Sequence, residues 1–80
     1  MTFQEACAVI VANRTNKTLN YAVAYAEYGM SVTDPHEQKV QALYILNNIA
    51  NWRGPEAAAV RIALKQVAGI RLSAKEKEFV

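Results

Sequence analysis

Apolar residues in this chain recur three and four positions apart, the spacing of one helical face, and no stretch alternates like a β-strand. Phe3, Ala6, Cys7 and Ile10 make the first such stripe. Ahead of it, Thr2-Phe3-Gln4-Glu5 fits a capping box, with Thr2 as N-cap and Glu5 reaching back. The polar run "NRTNK", Asn13 to Lys17, should end that helix, giving a first element over 3–13. A second is expected over 18–29. Leu19, Val23, Ala26 and Met30 line one side of it, and Tyr21, Tyr25 and Tyr28 line the opposite side. Only Asn20 and Glu27 mark a polar edge, so this helix is expected to be central and covered on both faces. Gly29 offers a left-handed stop.

In "SVTDPHEQ", Asp34 is a strong N-cap, Pro35 suits the first helical position and Glu37 completes the cap. The third helix should run over 35–53, with Ala42, Ile45, Leu46, Ile49 and Trp52 on one broad apolar face. Gly54 can end it, and Pro55 can open a fourth helix over 55–68 that Gly69 closes. Ala57, Val60, Leu64 and Val67 make the inward stripe there. A last cap, Ser73-x-x-Glu76, precedes "KEKE", Phe79 and Val80, a short helical turn or tail. With no repeat or linker, the 80 residues read as one all-α domain, a compact four-helix array.

Composition agrees with a folded domain: 52% hydrophobic, 20% charged, three Gly and two Pro. Much of the apolar share is alanine, which lets helices approach closely but fills little volume. Such a core invites completion by a partner or by a second copy of the chain. The N-terminal residues lack a basic secretory n-region, and "ACAVIVA" is too short to span a bilayer. A cytoplasmic, membrane-free location is the expectation.

Net charge is +2, too mild to imply nucleic acid by itself. The corner "NIANWRGPEAAAVR" nevertheless resembles a helix-turn-helix at first sight. Arg53, Arg61, Lys65 and Arg71, less Glu56, give residues 53–71 a charge of +3, a candidate phosphate-contacting set. A recognition helix reads bases with its first residues, and those are Pro55, Glu56, Ala57, Ala58 and Ala59 here. A structural corner with a solvated basic face, matched to the helix dipole, is the stronger expectation. Nucleic-acid binding is the alternative.

The third helix carries a different signal. At 100° per residue, Gln41, Tyr44, Asn47, Asn48 and Asn51 cluster away from the Ile/Leu/Trp stripe. Asparagine is a mediocre helix former, so three in five residues are not there for helicity. An aromatic anchor ringed by amides is a recurrent binding-surface composition. Tyr44, Asn47, Asn48 and Asn51 are the candidate partner-binding residues, with Arg61 and Lys65 as a basic rim. The tyrosine stripe of the second helix reads as core, since aromatics at helical spacing usually are. If open, it is an unusual apolar patch. Ile62, between Arg61 and Lys65, is a smaller case of the same kind.

Catalytic chemistry is poorly provided for. His36 is the single histidine and falls in a helix's first turn; Cys7 is the single cysteine and lies on a core stripe, where a small buried hydrophobe is expected. The seven carboxylates are scattered singly, mostly at caps. No phosphate loop or metal-ligand spacing is present, so no enzyme, cofactor or metal is expected.

The run "QALYILNNIANWRGPEAAAVRIALK", Gln41 to Lys65, resembles a pattern in small uncharacterised helical proteins of phage and prophage genomes. That resemblance implies a short phage-type accessory protein in a bacterial cytoplasm, acting by binding a host or phage protein. The expected function is therefore a non-enzymatic protein-binding module. A nucleic-acid-binding accessory protein and a self-assembling structural subunit are the alternatives.

Overall fold

The computed structural model describes residues 1–78, and among them every regular element is helical. Four longer helices, α1 (Phe3–Ala12), α2 (Ala22–Gly29), α3 (Pro35–Asn47) and α4 (Pro55–Ala68), are followed by a single turn, α5 (Ala74–Lys77). A 3-10 turn, Lys17–Leu19, precedes α2. Helix α1 packs on α2 and α4, and α3 packs on the same two, so the four close into a ring around one core. The expected tail residues Phe79 and Val80 lie outside the described residues.

The starts of α1, α3, α4 and α5 follow the caps in the sequence. The Glu5 amide donates to Thr2 Oγ1 at 3.1 Å and the Thr2 amide to Glu5 Oε1 at 2.7 Å, satisfying two of the donors a helix start leaves open. Asp34 accepts from the Glu37 amide at 2.9 Å, with Pro35 at the first position. Ser73 and Glu76 repeat the box at α5. Gly54 takes φ 113° as the N-cap of α4, and Gly69 closes α4 in the left-handed region at φ 75°. Both conformations favour glycine.

The core holds Phe3, Ala6, Cys7 and Ile10 of α1, Ala42 and Ile45 of α3, and Ala57, Val60 and Leu64 of α4. Leu19, Ile49 and Trp52 join it from outside the α-helices. Two side-chain amides knit the edge: Gln4 and Gln38 both donate to the Val32 carbonyl, at 2.8 and 2.9 Å. This ties α1 and α3 to the segment after α2.

Four expectations need correction. The element expected over 18–29 is a 3-10 turn followed by α2, which begins only at Ala22. Asn16 draws the Thr18 amide (3.0 Å) and hydroxyl (2.8 Å) onto its side chain, holding the chain in the tighter turn. Gly29 is the last helical residue and has no positive φ; its role is contact. A Cβ there would lie 2.8 Å from Cys7 Sγ and 3.0 Å from Phe3 Cζ, so glycine is what lets α2 close on α1.

Helix α3, expected to reach 53, stops at Asn47. Asn48 turns its side-chain amide back onto the Tyr44 carbonyl at 2.8 Å and leaves helical geometry at φ −108°, ψ 5°. Ile49 and Trp52 are buried all the same, held by a turn that the Trp52 amide closes on the Ile49 carbonyl. The last correction is the tyrosine stripe of α2, which is open to solvent. Its buried stripe is Ala22, Ala26 and Gly29.

Candidate functional site

Because α2 buries its small residues, its bulky ones stand outside. Tyr21 is 80% exposed, Tyr28 54% and Tyr25 39%, and Tyr44 of α3 is 47% exposed. These are all the tyrosines of the chain. The Tyr25 and Tyr44 rings stack with centroids 5.5 Å apart and planes 26° from parallel, an offset arrangement that aromatic quadrupoles favour. One turn on, the Tyr28 hydroxyl makes a long 3.5 Å contact to Glu37 Oε1. Advancing along α2 thus means retreating along α3, so the two helices run antiparallel. This register carries Tyr21 toward the Asn47–Asn48 end of α3.

The α3 side of this seam is the stripe Glu37, Gln41, Tyr44, Asn48, spaced by four, three and four residues. Gln41, expected to face outward with Tyr44, is only 8% exposed. Its Nε2 donates to Glu37 Oε1 at 3.1 Å, and its Oε1 is buried without a partner. At 100° per residue Gln41 lies about 40° from Ile45, at the margin of the apolar face, and it is buried with Ala42 and Ile45. Tyr44 and Asn47 are exposed on α3. Asn48 is half-buried and spends its amide capping the helix, and Asn51 is exposed on the following turn.

The basic residues do not form a free stripe. Arg61 donates from one nitrogen to the Ile49 carbonyl at 3.2 Å and the Trp52 carbonyl at 2.9 Å, bracing the turn after α3. Arg53 donates to the Ala50 carbonyl at 2.7 Å. Lys65 pairs with Glu76 at 2.9 Å, fastening α5 to α4. The Ser73 amide and then the Lys65 ammonium hold the Glu76 carboxyl below its ordinary range. Arg71 is exposed on the segment before α5.

Other candidates are thin. Ile62, the smaller case of the same question, is buried on the flank of an open groove of about 710 Å³ beside α4, with Met1, Pro55, Ala58 and Gln66. Arg61 and Glu76 also line it, but both are held by the bonds above. Cys7 is fully buried, and burial pushes its thiol up to about 11. His36 is exposed on the first turn of α3. Among the described residues, no three His, Cys, Asp or Glu side chains gather into a metal-holding group. No helix among them is long and apolar enough to cross a membrane.

The sequence did hold a clue to the tyrosine seam. Ala22, Ala26 and Gly29 are spaced four and three apart, each directly after a tyrosine, so a stripe of the smallest residues runs about 100° around the helix from the largest. Close helix packing selects the small one. Comparison of the chain with protein-family models, with curated proteins and with solved structures found no match.

Proposed function

We propose that this chain is a non-enzymatic protein-binding module whose contact surface is the α2/α3 seam: Tyr21, Tyr25, Tyr28 and Tyr44, flanked by Asn47 and Asn51. The observation that carries this reading is the exposure of every tyrosine on one side of so small a domain, two of them stacked. Tyrosine offers large contact area at low conformational cost, and open aromatic patches are unusual on monomers without a partner. The amides add adaptable hydrogen bonding at the rim. Arg61 and Lys65 are better assigned to holding the fold, given their internal bonds. The same bonds weaken the nucleic-acid alternative, which needs those cations free for phosphate. A phage-type accessory role, as the resemblance implies, is in keeping with a small chain that acts by contact.

A photo-crosslinking residue introduced at position 44 or 21 tests this in bacterial cells, with position 59 on the exposed face of α4 as control. The expected result is a discrete heavier adduct from 44 and 21 and none from 59. A ladder in multiples of the chain's own mass would favour self-assembly. No adduct from 44 or 21 would remove the seam from consideration.

A further inference from the structure

We infer that the α2/α3 seam takes up the guanidinium of an arginine presented by a partner protein; this rests on the protein-binding reading and names what that face recognises. The polar groups under the tyrosines are unbalanced. Glu37 Oε1 receives both the Tyr28 hydroxyl and the Gln41 amide, while Glu37 Oε2 has no partner among the described residues. Gln41 Oε1, on the same amide, is buried and has none either. A buried acceptor left unmade costs about 1–3 kcal/mol, so its retention asks for a donor. Gln41 Oε1 therefore lacks a donor, beside a Glu37 carboxylate whose second oxygen still reaches solvent. An arginine side chain has five N–H donors and no acceptor.

The surroundings suit the same guest. Tyr25, Tyr28 and Tyr44 offer ring faces, and a guanidinium both stacks on such faces and is drawn to their negative quadrupole. A lysine ammonium gains less, because it cannot stack and cannot fork between two acceptors. Glu37 brings a carboxylate to this seam, in a chain whose total charge is +2. At 100° per residue Lys39 projects from the far side of α3 relative to Glu37, Gln41 and Tyr44. Entry requires a small movement. Gln41 Oε1 is closed off in the free protein, so uptake includes a side-chain movement that opens it; Tyr28, more than half exposed and held by one long contact to Glu37, is the neighbour on this stripe least constrained.

The test uses octa-arginine, octa-lysine and octa-glutamate peptides, with two-dimensional NMR of the tyrosine rings and the Gln41 side-chain amide at physiological salt. The protein's net positive charge repels the first two, so uptake reports the local site. Octa-arginine should shift Tyr25, Tyr28, Tyr44 and Gln41, octa-lysine should bind several-fold more weakly, and octa-glutamate should leave them unmoved. Glu37→Gln should weaken octa-arginine about tenfold, and Gln41→Leu several-fold, with both variants melting no lower than the parent. Absent shifts, or equal affinity in parent and both variants, overturn the proposal and leave a single water as the sufficient partner of Gln41. A concentration-dependent mass that Glu37→Gln abolishes overturns it in favour of a second copy of this chain. The two readings fail separately. Loss of octa-arginine binding with the position-44 crosslink intact removes only the arginine, whereas loss of the crosslink removes the face itself.

Discussion

Gly29 and Cys7 meet where α1 and α2 come closest, and their contact sets how tightly the ring closes. In an exposed helix Gly→Ala gains about 1 kcal/mol from propensity. At Gly29 the new methyl would sit 2.8 Å from the Cys7 sulfur and 3.0 Å from the Phe3 ring, and overpacking of that kind costs about 1–3 kcal/mol. Gly29→Ala should therefore lower stability in urea or thermal melts, and Cys7→Ala in the same chain should recover part of the loss, a coupling that a double-mutant cycle measures. Equal costs in both backgrounds would contradict the contact. The thiol gives a second readout. With its pKa moved from 9.0 to about 11 by burial, the unfolded chain loses this proton first as pH rises. The contribution is complete below about pH 9 and is lost as pH climbs toward 11, so the parent should lose stability across that window faster than Cys7→Ala.

Among the elements, the turn after α3 depends on Arg61, a residue of α4. Replacing it with Met should cost about 1.5–3 kcal/mol, because the Ile49 and Trp52 carbonyls lose a charged donor, whereas Arg71→Met should fall within about 0.5 kcal/mol of the parent. Urea melts of both variants check this. Helix α5 hangs on Glu76. Its carboxyl is depressed, so the stabilisation is present at neutral pH and is lost as pH falls below the ordinary carboxylate range; protection of the Glu76 and Lys77 amides, relative to their intrinsic exchange rates, should fall there, and Glu76→Gln should show that lowered protection already at pH 7. The starts of α1, α3, α4 and α5 and the α4 stop were legible because Thr2, Asp34, Pro35, Pro55, Gly69 and Ser73 act on their own few neighbours, whereas α2 has no side-chain cap and begins only at Ala22. The end of α3 was not legible, since Ile49 and Trp52 keep helical spacing in burial while Asn48 has already diverted the backbone. Spacing reports what is buried; it does not report the conformation that buries it.

For the whole molecule, the question is which side of α2 faces the ring. Both sides are apolar, so hydrophobicity could not choose; volume did, since Ala22, Ala26 and Gly29 admit α1 and the tyrosines do not. That choice leaves Tyr21, Tyr25 and Tyr28 beside Tyr44 and turns an expected core into a candidate surface. Tyr44 and Asn47 were legible as exposed and Gln41 stood at the margin of the apolar face, while the internal bonds of Arg61 and Lys65 depended on how the turn after α3 and helix α5 fold back on α4. A surface used chiefly for binding can be removed at a small cost in stability. The deciding measurement is the Kd of the crosslinked partner for the parent and for Tyr25→Ala/Tyr44→Ala, with thermal melts alongside. The account predicts at least a tenfold weakening, about 1.4 kcal/mol, in a variant that still melts cooperatively and loses about 0.5–1.5 kcal/mol of stability with the stack. Unchanged affinity in the folded double variant would contradict it.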